Sequence, residues 1–304
     1  MTQKKNTLVV LIGPTGIGKT DLSIHIAQNL QCEIISCDSR QMYRELKIGT
    51  AAPEAKHLNA VPHHFIGNLS IHDYYNASEF EFQTLELVDQ LFTKNNFALM
   101  TGGSGLYIDA VVKGIDELPT IDPEIRNNLK SRLKTEGLDA LIEELKNVDP
   151  NYYEIADLKN PKRILKALEI YTITGKAYST FRTDTIKERQ FNIIQVGLNM
   201  DREELYDRIN LRVDLMLEAG LIEEAKQFHR YKNLNSLNTV GYKELFGHFD
   251  GEYDLDEAIR LIKRNSRRYA KRQMTWFNRD KSISWFHPNQ IDEIMAHIRK
   301  LSLI

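Results

Sequence analysis

Eight consecutive residues, Gly13-Pro14-Thr15-Gly16-Ile17-Gly18-Lys19-Thr20, carry the spacing G-x-x-x-x-G-K-[ST] of a loop that wraps phosphates. Its glycines let successive backbone N–H groups turn inward. A helix starting at the end of the loop aims the positive end of its dipole at the same oxygens. Lys19 adds a mobile positive charge, and the Thr20 hydroxyl can join a Mg²⁺ shell shared with the phosphates. The pattern asks for a diphosphate or polyphosphate ligand without saying which one.

Asp38 ends a second apolar run, residues 33–37, on the rim where open parallel sheets bind ligands. A carboxylate there serves as a base or magnesium ligand, or it simply caps a helix. A third run, 97–101, ends in Gly102-Gly103-Ser104-Gly105 and brings the Ser104 hydroxyl and a closely approachable backbone to the same rim. Arg208 and Arg212 are one helical turn apart, and a guanidinium fork suits a diphosphate. Pairing of Arg212 with Asp214 on a solvated face is the equal alternative. Near the carboxyl end, Arg260, Lys263, Arg264, Arg267, Arg268, Lys271, Arg272 and Arg279 fall in a stretch with no acid. In a chain of net charge −2 that concentration favours a polyanion over a merely solvated face. His63 and His64 are adjacent and point to opposite sides of an extended chain, so hydrogen-bonding roles are expected of them rather than a shared metal. Cys32 and Cys37 read as buried or half-buried free thiols.

The elements that must hold these residues read as an α/β fold: a P-loop NTPase-like parallel sheet flanked by helices, with an all-helical insertion domain. The continuous apolar run 8–12 predicts a buried parallel strand. Leu22, Ile26, Ala27 and Leu30 share one face of a helix expected to end near Asn29. Ser78 is the expected cap of a helix whose apolar face is Phe82, Leu85, Val88 and Leu91 or Phe92. Pro119 and Pro123 mark a linker, after which 123–136 and 138–146 are helical and charge-rich, and Pro161 opens a further helix at its first turn. There Lys162, Arg163 and Lys166 share a side. The expected division is a catalytic core at 1–114 and 190–304 and a helical insertion at 115–189. Asp201 starts the helix carrying Arg208 and Arg212, and 238–243 is a turn leading into another.

The composition, 304 residues with 42% apolar and 27% charged, is that of a globular protein without a global field for nucleic acid. The N-terminus runs directly into the first strand without a signal segment, and no apolar run approaches the ~18 residues of a membrane span. A cytoplasmic protein with no membrane partner is expected.

Taken together, the motifs resemble the tRNA isopentenyltransferase (dimethylallyltransferase) family, nearly end to end. The similarity rests on the loop at 13–20, Asp-Ser-Arg-Gln-Met-Tyr (38–43), Lys-Ile-Gly-Thr-Ala (47–51), Pro-His-His (62–64) and Gly-Gly-Ser-Gly-Leu-Tyr (102–107). It continues through Asp-Pro-Glu-Ile-Arg (122–126), Arg-Val-Asp-Leu-Met (212–216), Val-Gly-Tyr-Lys (240–243) and Lys-Arg-Gln-Met-Thr-Trp (271–276). The resemblance implies transfer of a dimethylallyl group from dimethylallyl diphosphate, with Mg²⁺, to N6 of the adenosine 3′ of the anticodon. It implies that the loop 13–20 holds the diphosphate, with Thr20 at the metal. Lys19, Mg²⁺ and Arg212 would neutralise the leaving group, while Asp38 takes a proton or hydrogen bond from N6. Ser39 and Gln41 would read the base edge, and Ser104 would lie against the substrate. Further contacts to the tRNA anticodon stem-loop are implied for Arg40, Arg126, Lys162, Arg163, Lys166, Gly241, Tyr242, Lys243, Arg268, Lys271, Arg272 and Gln273. A monomer is expected. The chain departs from the family's common pattern at Ser104, where threonine is usual, at Gly16-Ile17, which lacks a hydroxyl, and at Lys162 and Lys243, which keep charge without the arginine fork. The absence of a zinc-finger extension after Ile304 fits the bacterial type. The alternatives are an isopentenyltransferase for free adenine nucleotides, which would need neither the insertion nor the basic helix, and a P-loop kinase. A nucleotide-driven switch would place an acid after a later strand, and the run 97–101 is followed by glycines.

Overall fold

The computed structural model describes residues 6–116, 118–119, 122–183 and 185–302. The chain divides into two compact units, Met1–Val112 with Glu188–Ile304, and Lys113–Lys187.

The first unit is built on a six-stranded sheet in the order β3-β2-β4-β1-β5-β6. The strands are β1 (Thr7–Ile12), β2 (Ile34–Ser36), β3 (His63–His64), β4 (Phe97–Gly102), β5 (Asn192–Leu198) and β6 (Ser284–Phe286). All neighbours run parallel. Parallel pairs require crossover connections, supplied here by α1 (Lys19–Leu30), α2 (Ala55–Ala60), α3 (Ala77–Phe92) and α4 (Gly105–Lys113), and after the second unit by the first four of the helices α9 to α13, the last of which follows β6. These last are α9 (Arg202–Glu218), α10 (Leu221–Phe228), α11 (Tyr242–Phe249), α12 (Leu255–Phe277) and α13 (Ile291–Ser302).

Strand β1 is central, and all six of its residues are buried, which explains its unbroken apolar sequence. Alternate side chains feed two cores. Val9 and Leu11 pack with Ile26, Val196, Ile209 and Ile298, while Leu8, Val10 and Ile12 pack with Phe80, Met100, Val111 and Phe277. Each such side chain contributes roughly 1.5–3 kcal/mol by leaving water. A third cluster joins Leu46 and Ile71 to Val213, Leu221, Tyr242, Phe246 and Ile262.

The register sets the site. Ile12 lies opposite Gly102, and Ser36 opposite Thr101. The carboxyl ends of β1, β2 and β4 therefore stop on one rim, where the chain continues as the phosphate loop, Asp38 and Ser104.

Some sequence expectations shift. Helix α1 reaches Leu30 and β2 is shorter than 33–37. The cap of α3 is Asn76, not Ser78: its side chain accepts the N–H groups of Ser78 and Glu79, and Glu79 returns the favour to the Asn76 N–H. Phe82 is 70% exposed and not part of the apolar face. Glu81 takes an inward position instead, made tolerable by an ion pair with Arg189 at 2.7 Å. No helix starts at Asp38, so the capping role is excluded. Helix α12 begins earlier than Arg260, and its first turn holds Asp256 and Glu257.

The second unit consists of α5 (Pro123–Thr135), α6 (Leu138–Val148), α7 (Pro150–Ile155) and α8 (Pro161–Thr174). Asp122, Asp149 and Asn160 cap α5, α7 and α8 through their side chains, each followed by a proline. The unit has its own core of Leu129, Leu141, Leu145, Tyr152, Ile164 and Leu168. Among the described residues, no helix is long and apolar enough to cross a membrane.

Candidate active site

The phosphate loop folds as its glycines require. Gly18 takes φ 100° immediately before α1, a conformation that a Cβ would strain. The Ile17 side chain drops into the core. Lys19 Nζ donates to the carbonyls of Gly13 at 2.9 Å and Pro14 at 2.8 Å. Burial, and then the charge of Arg212, hold its pKa down to about 8, with Asp38 partly opposing them. From α9, Arg208 Nε donates to the Gly16 carbonyl at 3.0 Å and Arg212 Nη1 to Thr15 Oγ1 at 3.1 Å. Burial also depresses the Arg212 pKa, with Asp38 raising it. Asp214 is taken by Lys263 at 2.6 Å, so the surface pairing with Arg212 does not form.

Asp38 Oδ1 accepts the Arg40 N–H at 2.9 Å in a tight turn. Oδ2 has no protein donor among the described residues. Ser104 Oγ accepts the Ser39 N–H at 3.0 Å and donates to Ser39 Oγ at 3.2 Å. It also contacts the phenol of Tyr269, whose pKa burial and Asp38 push up to about 12.

Two cavities open here. One, of about 480 Å³, is lined by Gly16, Gly18, Lys19, Thr20, His63, Arg208, Leu211 and Leu215. The other, of about 520 Å³, is lined by Ser39, Arg40, Gly241, Lys243, Arg268 and Arg272. Thr15, Asp38, Arg212 and Tyr269 line both. One cavity thus joins the loop 13–20 to the exposed apolar side chains Leu211 and Leu215. The second is polar and basic, and a carboxylate stands at the junction.

The remaining candidates are bonded within the fold or lie elsewhere on it, although Arg40, Gln41, His63 and Gln273 also line a cavity. The Arg40 guanidinium donates to the carbonyls of Asn235 and Ser236, at 2.9 and 3.3 Å, and anchors the chain. Gln41 spends its Nε2 on the carbonyls of Thr50 and Ala51, at 3.2 and 3.1 Å. Tyr242 is fully buried and its hydroxyl donates to Glu224 at 2.5 Å, so its side chain is core and cannot meet RNA. Gln273 is bonded to two loops and is 6% exposed. Lys271 is exposed on α12. In the second unit Arg126 forms a bidentate pair with buried Glu169, at 2.7 and 3.0 Å. There Lys162 and Arg163 are exposed, and Lys166 is half-buried, which lowers its pKa. His63 bonds the Val61 carbonyl at 2.8 Å and His64 bonds Glu33 at 2.6 Å. Cys32 and Cys37 are buried free thiols, raised in pKa by desolvation.

Two residues escaped sequence reasoning. Tyr269 could have been found from its helical spacing with Asn265 and Arg272. Glu224 had no local signal: it accepts the N–H groups of Lys47, Ile48 and Gly49 at 2.9–3.1 Å and so fixes the loop between the cavities.

A Mg²⁺ ion fits this donor set in a limited way. Among the described residues no group of three or more His, Cys, Asp or Glu could hold a metal. The Thr20 hydroxyl and Asp38 line one cavity and suit a hard cation completed by phosphate oxygens and water.

Residues 41–280 match the model of the IPP transferase family. The chain is 56% identical over 299 residues to tRNA dimethylallyltransferase 1 of Bacteroides fragilis, covering 98% of this chain and 99% of that protein. It is similar to the crystal structure of full-length tRNA isopentenylpyrophosphate transferase from Bacillus halodurans, with 35% identity, TM-score 0.72, and coverage of 98% and 97%. A eukaryotic dimethylallyltransferase solved acting on tRNA shares the fold, at TM-score 0.79 and 24% identity, with coverage of 97% of this chain and 77% of that one.

Proposed function

The chain belongs to the IPP transferase family, and on that premise we propose how its two cavities divide one reaction. The chain is a transferase that modifies tRNA. The donor is dimethylallyl diphosphate and the acceptor is N6 of the adenosine 3′ of the anticodon. The observation that carries this reading is the junction: Asp38 and Arg212 line both the phosphate cavity and the basic cavity.

The diphosphate sits on the loop 13–20, with its isoprenoid tail toward Leu211 and Leu215. The adenosine leaves its stack, at a cost of a few kcal/mol, and occupies the basic cavity. The bond between the allylic carbon and the diphosphate oxygen breaks, and its electron pair leaves with pyrophosphate. N6 bonds that carbon and surrenders one proton, which the Asp38 carboxylate accepts. Lys19 and Arg212 are already in place where the leaving group gains charge, so little reorganisation is needed. Mg²⁺ held by the Thr20 hydroxyl would add leaving-group neutralisation. Arg268, Arg272 and Lys243 supply positive charge toward the anticodon stem-loop phosphates.

The free-nucleotide alternative has no support, since the named relatives act on tRNA. The kinase alternative has none either, since the named relatives are dimethylallyl and isopentenyl transferases.

The test is turnover. The protein, Mg²⁺, dimethylallyl diphosphate and unmodified tRNA are incubated, and the digested nucleosides are weighed, with AMP and ATP in parallel. One isoprene unit on a tRNA adenosine is expected. Product on AMP but not on tRNA, or phosphate transfer from ATP, would overturn the assignment.

A further inference from the structure

Gln273 lies on the buried side of the basic helix α12, next to cavity-lining Arg272. Its Oε1 accepts the Thr15 N–H at 2.9 Å, and its Nε2 donates to the Gly103 carbonyl at 2.9 Å. Thr15 belongs to the loop after β1 and Gly103 to the loop after β4, and those strands are neighbours. One side-chain amide therefore bridges the two glycine loops of the site. The approach is close: a Cβ on Gly103 would come within 2.2 Å of Nε2, so a larger residue there would have to displace the amide. One turn on, Trp276 Nε1 donates to Asp109 Oδ2 at 2.8 Å and ties α12 to α4, which continues from the second loop.

The chemistry of the bridge is directional. One loop offers an N–H, the other a carbonyl, and a neutral side chain of this length must accept from the first and donate to the second. Glutamine does both. Glutamate lacks the donor, and methionine, of similar size, lacks both. With both ends engaged and only 6% of it exposed, Gln273 has little surface left for RNA.

We propose that Gln273 is a positioning residue for the donor diphosphate: it holds the phosphate loop and the second glycine loop in register from the helix that faces the tRNA. This rests on the reading of the first cavity as a diphosphate site. Because Arg268, Tyr269 and Arg272 lie on the same rigid helix, that helix both lines the RNA cavity and fixes the loop spacing.

Two titrations separate the possibilities: inorganic pyrophosphate with Mg²⁺, followed by calorimetry, and an anticodon stem-loop RNA, followed by fluorescence. The unaltered protein must bind pyrophosphate; if it does not, the diphosphate reading itself fails. For Gln273→Met, pyrophosphate affinity should fall about tenfold and kcat should fall with it, while RNA affinity stays within about twofold, as expected for the loss of buried hydrogen bonds on one substrate's side only. Unchanged pyrophosphate affinity, or weakened RNA binding with pyrophosphate unaffected, overturns the proposal. If Gln273→Met does not unfold cooperatively, Gln273→Glu, which keeps the acceptor for Thr15, is read by the same two outcomes.

Discussion

Ser104 Oγ accepts the backbone N–H of Ser39 at 3.0 Å, joining two strand ends that are 65 positions apart in sequence. That bond holds the residue after Asp38 against the second glycine loop. A carboxylate works as a base only when its geometry is fixed, and here the fixing group is a hydroxyl from the neighbouring strand.

Ser104→Ala should therefore lower kcat/KM about tenfold, the size of one lost hydrogen bond with its donor left half-buried. Ser104→Thr keeps the hydroxyl and should restore the rate. Steady-state kinetics on both variants checks this. Equal loss in both would assign the effect to packing.

Lys19 predicts a proton uptake. Its pKa is about 8 without ligand, because burial disfavours its charge. A bound diphosphate favours the charged form and raises that pKa. Above pH 8 the free protein carries a partly neutral lysine and the complex a charged one, so binding takes up a proton and affinity falls as pH rises. Calorimetry of pyrophosphate binding at pH 8.5 in buffers of different ionisation enthalpy should report an uptake that Lys19→Met lacks. Identical proton counts in the two proteins would contradict it.

The basic helix is not uniformly available. Arg260 pairs with Glu257, Lys263 with Asp214, and Arg267 donates to Asn210. Arg268 and Arg272 face the basic cavity. Replacing these two with Ala should reduce the slope of log tRNA affinity against log salt by about 1.4–1.8, at roughly 0.7–0.9 per phosphate contact. Arg260→Ala should leave the slope unchanged.

Tyr242 belongs to the core. Tyr242→Phe removes the hydroxyl donated to Glu224 and should destabilise the protein by about 1.5–3 kcal/mol, as for a hydrogen bond to a charged group. Its tRNA affinity should be unaffected. Denaturant unfolding and RNA titration together decide the point.

What could be read from the sequence was local. The phosphate loop is eight contiguous residues, and Asp38 and Ser104 follow recognisable strand runs, so topology alone brought them to one rim. The division of labour among polar residues was not legible. Glu224 meets the Gly49 N–H from 175 positions away, and Gln273 meets Thr15 from 258 positions away. Arg40, Gln41, Tyr242 and Gln273 stand in motifs whose family resemblance implies RNA contact; the fold also has Arg40, Gln41 and Gln273 bond to loops while lining the cavities, and it buries the Tyr242 side chain in the core. Residue type and spacing reveal that a polar group is needed but not which buried partner claims it. The amphipathic pattern of α3 misled for the same reason: Glu81 is inward because Arg189, far along the chain, neutralises it, and Phe82 is left outside.

The central claim is that Asp38, at the junction of the two cavities, takes the proton from the acceptor amine. The most direct measurement is the single-turnover rate of Asp38→Asn with tRNA and dimethylallyl diphosphate both saturating. The account predicts a rate lower by about 10²–10⁴-fold, the range for a lost general base, with both substrates still bound at near-normal affinity. A rate close to that of the unaltered protein, or a loss traced wholly to weaker substrate binding, would contradict it.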